Sequence, residues 1–165
     1  MNRSLRSQII AIISGVDDMT IATIREDGCP QATTVSYVND DEVIYFFTTR
    51  NAQKVRNIDR DERVSLTINS PYDDWNDIEG LSITGTARFV TEAEEQARAG
   101  ELLLEKFPQV ADIAADDSEE IVLIRVDPQW ISVLDYAKGF GHTELVTLNG
   151  VCPAVDESVR ARYPE

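Results

Sequence analysis

Hydrophobic positions follow a helical period at the start of the chain and a strand period soon after. Leu5, Ile9, Ile12, Ile13 and Val16 recur at helical spacing and predict an amphipathic helix over 3–16. From residue 19 alternation takes over. MTIATIR (19–25) leads through Glu26-Asp27-Gly28, a hairpin turn with glycine where positive φ is needed, into QATTVSYV (31–38). Asn39-Asp40-Asp41 reads as a second turn before EVIYFFTT (42–49), whose unbroken apolar centre predicts a strand covered on both faces. A short helix is expected over 50–61, with Asn51 as its N-cap and Val55 and Ile58 as its apolar edge. ERVSLTIN (62–69) and LSITGTARFV (81–90) alternate again, and Gly85 inside the second marks a bulge or tight bend. Thr91-Glu92-Ala93-Glu94 reads as a capping box opening a helix that ends near Phe107-Pro108. IVLIRVD (121–127) and WISVLD (130–135) are expected to form a last hairpin about Pro128-Gln129. The tail over 136–165 holds Gly139, Gly141 and Gly150 and shows little period.

This pattern predicts one domain over 1–165, mainly β with inserted helices. Its barrel of about six antiparallel strands covers 19–135. Such a sheet hides its edges by curling into a half-open barrel with helices over the gaps.

Charge narrows the partners. Thirty acidic against 15 basic residues give a formal net charge of -15. A surface so acidic repels nucleic acid and anionic membrane, so neither is expected as a partner. The longest apolar runs, 9–13 and 43–47, fall far short of the roughly 20 residues a spanning helix needs. Arg3 and Arg6 before the first apolar run imitate a signal peptide, but Asp17-Asp18 follows with no small-residue cleavage site. A cytoplasmic protein is therefore expected. Cys29 and Cys152 form no CxxC, which argues against a disulfide scaffold or a zinc site, and no metal site is expected.

Against that acidity one segment stands out. Arg50, Lys54, Arg56, Arg60 and Arg63 concentrate a third of the basic residues in a short run. Two readings compete. Asp59, Asp61 and Glu62 are interleaved, as on a solvated helix face. Alternatively Thr48 and Thr49 at a strand end, a helix start with free N–H groups, and Lys54 in its first turn compose a phosphate cradle. Thr33, Thr34, Val35 and Ser36 suit either an ordinary half-buried strand or one whose backbone meets a flat ligand. His142, the single histidine, lies beside two glycines and Phe140 and is the candidate catalytic residue. Asp73, Asp74, Asp77 and Glu79 read as a solvated loop, and Trp75 and Trp130 as packing residues or interface anchors.

Together, the hairpin ATIREDGCP, the aromatic strand ending in Thr48-Thr49, Lys54-Val55-Arg56-Asn57 and the strand DERVSL resemble the pyridoxamine 5'-phosphate oxidase-like family. The resemblance covers about residues 9–135. It implies a six-stranded split β-barrel that binds FMN and acts as a homodimer on a small-molecule substrate, with the flavin ring at the subunit interface. It places Thr33, Thr34, Val35 and Ser36 along the flavin, Thr48 and Thr49 near the ribityl-phosphate arm, and Gln53 and Lys54 on the phosphate. Authentic members carry an arginine near Thr33, a substrate-binding lysine near Val38, and Arg-x-His where this chain has Phe140-Gly141-His142. Those departures point away from vitamin B6 oxidation and toward an FMN-dependent oxidoreductase of another substrate. A deazaflavin needs the same phosphate cradle. The Gly-Phe-Gly run also resembles split-barrel haem-utilisation proteins, which makes a haem- or flavin-binding carrier or sensor using His142 the alternative.

Overall fold

The N-terminal apolar stripe forms helix α1 (Arg3–Gly15), with Ile9, Ile12 and Ile13 buried. The computed structural model describes residues 3–110 and 120–148. After α1 the chain forms β1 (Asp18–Ile24), β2 (Pro30–Ser36), β3 (Val38–Asp40), β4 (Val43–Thr49) and α2 (Gln53–Arg60). It continues through β5 (Arg63–Asn69), β6 (Glu79–Phe89), α3 (Ala93–Lys106), β7 (Ile121–Asp135) and β8 (Thr143–Thr147). All eight strands join one antiparallel sheet in the order β2-β1-β5-β6-β7-β4-β3, with β8 added to β7.

That order dictates the shape. Strands β2 and β3 occupy opposite ends of it, yet only Tyr37 separates them in sequence. Two residues reach about 7 Å at most, so the two edges of the sheet meet at Tyr37 and the sheet curls into a barrel. Tyr37 is held there by its N–H on the Asp17 carbonyl at 3.2 Å and its hydroxyl on the Ile13 carbonyl at 2.6 Å. The barrel is split because the closure stops at this corner.

Strand β4 is covered on both faces, as expected from its unbroken apolar run. Ile44 and Phe46 enter the main core with Ile9, Met19, Ile21 and Leu66, whereas Tyr45 joins Val38, Val90, Ala99 and Leu123 beneath α3. Each such large side chain contributes roughly 1.5–3 kcal/mol on burial.

Several local expectations are corrected. The described residues form eight strands, where six were expected. The expected turn at Asn39-Asp40-Asp41 is mostly strand β3, and the sharp reversal falls on Asp41 with φ 52°. The hairpin about Pro128 is one continuous strand of 15 residues. Pro128 is tolerated there because it sits opposite Gly85, where the β6–β7 register shifts and a ladder N–H is not required. The tail forms β8, which pairs with Trp130–Leu134 of β7. Neither expected side-chain cap forms: α2 begins after Ala52 and α3 after Glu92. Residues 111–119, Cys152 and the tail beyond 148 lie outside the described residues. No helix among those described is long and apolar enough to cross a membrane.

Candidate functional site

The split leaves two strand edges without ladder partners among the described residues. Strand β2 pairs only with β1, so its other edge is free from Pro30 to Ser36. Strand β3 covers β4 only at Val43–Tyr45, leaving the same edge of β4 free over Phe46–Thr49. Both free edges run from the Tyr37 corner, and the gap between them defines the candidate cleft. Helix α2 follows immediately after β4 and closes one end.

At that end the predicted cradle partly assembles. Val55 and Ile58 bury one side of α2. At about 100° per residue, Lys54 lies on the arc between Ile58 and the buried Asn57, so its half-buried chain runs toward β4. Its Nζ donates to Thr48 Oγ1 at 3.4 Å, and no carboxylate pairs with it among the described residues. Thr48 and Thr49 are half-buried.

Strand β2 splits its four candidates between two faces. Thr33 and Val35 turn inward and are half-buried, while Thr34 and Ser36 are exposed. Ser36 Oγ donates to Asp18 at 2.6 Å. Thr33 Oγ1 is buried and has no hydrogen-bond partner among the described residues, although an unpaired buried hydroxyl is costly.

Gln53 is more constrained than its expected role requires. Its Nε2 donates to Asn57 Oδ1 at 2.8 Å and its Oε1 accepts from Arg56 at 2.7 Å. Gln53 also borders a shallow depression of about 360 Å³ with Arg25, Glu26 and Asp27. The rest of the basic run divides. Arg63 pairs with Asp61 at 2.6 Å and Arg50 with Glu120 at 2.9 Å, as surface charges do. The solvated-face reading thus describes Arg50 and Arg63, whereas Lys54 meets Thr48 and no carboxylate among the described residues. A larger cavity of about 710 Å³, bordered by Arg50, Arg56, Phe89 and Ile121, lies on the opposite flank of α2 and outside this cleft.

His142 is not brought to the cleft within one chain. It follows the turn after Asp135, at the far end of β7, whereas Thr48 and Thr49 pair with Val122 and Ile121 at its beginning. Its Nε2 lies 3.5 Å from Glu144, whose carboxyl is held below the usual range chiefly by a hydrogen bond from Lys138. Trp75 and Phe140 stack at 6.3 Å near this turn, and both are exposed.

The residue missed in the sequence is Asn57, which is 1% exposed. A polar side chain between Val55 and Ile58 on a predicted apolar edge was the available signal.

Comparisons agree with this architecture. The chain resembles the structure of a heme binding protein from Mycobacterium smegmatis, with a TM-score of 0.75 and 21% identity, covering 89% of this chain and 59% of that one. A conserved hypothetical protein from Mycobacterium tuberculosis superposes with a TM-score of 0.71 at 25% identity, covering 91% and 93%. A tetraacyldisaccharide 4'-kinase from Psychrobacter cryohalolentis is 38% identical over 66 residues, which is 40% of this chain and 17% of the kinase. The chain therefore corresponds to under a fifth of that curated relative. The family model described as pyridoxamine 5'-phosphate oxidase matches residues 5–135, which runs from α1 to the end of β7 and takes in both edges of the cleft. With the curled sheet, its split and the matching helices all inside that span, the chain belongs to the pyridoxamine 5'-phosphate oxidase family.

Proposed function

We propose that the cleft between β2 and β4 binds FMN and that the protein is an FMN-dependent oxidoreductase acting on a small molecule other than a vitamin B6 phosphate. One observation carries this reading. Lys54 is an ammonium turned into a cleft, held by a hydroxyl and not by a carboxylate, in a chain with twice as many acidic as basic residues. An anion is the ligand such a group lacks.

The residues present fit the flavin. Lys54, Thr48 and Thr49 would hold the phosphate, with charge-assisted hydrogen bonds strengthened by partial burial. The unpartnered Thr33 hydroxyl and the free backbone edge over 33–36 would meet polar atoms along a flat ring. When bound, the flavin supplies hydride and electron transfer, and the chain supplies placement and electrostatics. A deazaflavin phosphate would use the same cation, so FMN and a deazaflavin are compared in one titration.

The outer face of the sheet supports a homodimer. Register places Thr34, Thr20, Thr67, Ser82 and Ser132 in one row across five strands, with Ala32, Ala22, Ser65 and Thr84 in the next. None is charged, although the chain carries 45 charged side chains, 15 basic and 30 acidic. Depletion of charge at the centre of a face is the mark of an interface. Light scattering on the cofactor-bound protein should give twice the chain mass of 18.5 kDa.

The competing reading is a haem- or flavin-binding carrier or sensor using His142, favoured by the likeness to a heme binding protein. Against it, His142 Nε2 is turned toward Glu144 and buried, so the imidazole would have to rotate to reach iron.

Titration decides. FMN should bind at micromolar concentration or tighter. Lys54→Ala should weaken FMN by about 10- to 150-fold, the equivalent of roughly 1.5–3 kcal/mol, while leaving riboflavin almost unaffected. Absence of flavin binding by the wild type would refute the proposal. A sharp Soret band lost in His142→Ala would replace it with the haem reading.

A further inference from the structure

One buried amide fastens α2 to the sheet. Asn57 Nδ2 donates to Thr23 Oγ1 at 2.9 Å and to Gln31 Oε1 at 3.0 Å. Its Oδ1 accepts from Gln53 Nε2 at 2.8 Å. Both donors of the amide and one lone pair are therefore used. Thr23 is as deeply buried as Asn57 itself. The chain of bonds continues outward, because Gln53 accepts from Arg56 and Arg56 donates to the Asn51 carbonyl at 2.6 Å.

The anchoring points matter more than their number. Gln31 lies two residues before Thr33 on the same face of β2. Gln53 directly precedes Lys54. Asn57 thus connects the free edge of β2 to the turn that carries the lysine, across the mouth of the cleft. Val55 and Ile58 already hold α2 to the core, but apolar contact is non-directional and leaves rotation about the helix axis poorly determined. A hydrogen-bonded amide is directional and fixes that rotation.

We propose that Asn57 is a positioning residue: it sets the roll of α2 and so the distance between Lys54 and the β2 edge, which makes the cleft selective for the phosphate-bearing form of the flavin. This rests on the FMN reading given above. It reassigns Gln53 from a phosphate ligand to a link between Asn57 and Arg56.

The test compares FMN with riboflavin, because a merely structural role would move both alike. Asn57→Leu keeps the number and branching of side-chain heavy atoms and removes all three bonds. FMN binding should weaken about tenfold, about 1.4 kcal/mol, while riboflavin changes less than twofold. Thr23→Val removes one acceptor at constant size and should weaken FMN about threefold with riboflavin again unmoved. If Asn57→Leu does not fold, Thr23→Val and Gln31→Leu carry the comparison by themselves. Equal weakening of both ligands, or no change in either, overturns the positioning role while leaving the FMN reading intact. A wild-type protein that binds no flavin overturns both.

Discussion

Gly85→Ala isolates the bend in the barrel. A Cβ added at Gly85 would stand 2.4 Å from the Asp127 carbonyl oxygen, 3.1 Å from its carbonyl carbon and 3.2 Å from Pro128 Cα. All three are backbone atoms of β7, so no side chain can swing away. Carbon–oxygen contacts between strands settle near 3.3–3.6 Å, so the strands must part by about 1 Å where their register already shifts. Overpacking of this kind costs about 1–3 kcal/mol, and a backbone clash belongs at the upper end. For a chain of this size, about 3 kcal/mol lowers Tm by roughly 6–12 °C. Gly100→Ala is the matched control. It lies in α3, and nothing stands within 4 Å of its added Cβ. Removing a helical glycine there should stabilise by about 0.5–1 kcal/mol. Thermal unfolding followed by circular dichroism reads both variants. A Gly85→Ala protein melting within about 2 °C of wild type, on the same scale, would show that β6 and β7 do not approach as described.

Three other outcomes are expected. Tyr37→Phe removes the buried hydroxyl bonded to Ile13 and should cost about 1 kcal/mol, or roughly 2–4 °C in a thermal melt. Burial, with Asp17 and Asp18 adding to it, pushes the Tyr37 phenol above its ordinary value. The folded state therefore keeps this proton where the unfolded chain releases it. That stability is complete below about pH 10 and falls above it; Tyr37→Phe should lose this alkaline slope, and equal slopes would contradict the assignment. Burial raises the Glu95 carboxyl, but hydrogen bonds from Arg125 and Tyr45 and the charges of Arg88 and Arg125 outweigh it and hold it below its usual range. Its contribution is present above about pH 4.3 and lost as pH falls below that, so urea midpoints of Glu95→Gln should decline less in acid than those of the wild type.

The fold was legible wherever periodicity was local. Val64, Leu66 and Ile68 alternate without interruption, and the strand they predicted is β5. Gly85 predicted a bulge, and the register shifts there. Pro128 misled because its turn-forming character is a property of the residue, whereas its tolerance in β7 depends on a partner strand far away in sequence. Strand β8 escaped notice because five residues with one buried side chain, Val146, carry too little pattern. In the candidate site, the approach of Lys54 to Thr48 was legible from a cation just inside a helix after two threonines. The bonds of Gln53 to Asn57 and Arg56 were not legible, since they form only once the helix has wound. Asn57 depended on Thr23 and Gln31, more than 25 residues away.

Strand β7 also has a bearing on how the chain is made. It pairs with β6 on one edge and with β4 and then β8 on the other. Until it emerges from the ribosome, β4 has only the three-residue β3 beside it, and Phe46 and Phe47 have no finished sheet to lie in. The nascent chain thus carries its most apolar strand unpaired through synthesis of more than 70 further residues, an interval in which unpaired edges invite association. Ribosome-bound chains halted after residue 110 should be cut by protease within β4, and chains long enough to release residue 135 should be protected there. The strong acidity of the sequence gains a second use on this account: mutual repulsion among neighbouring nascent chains while β4 waits for its partner.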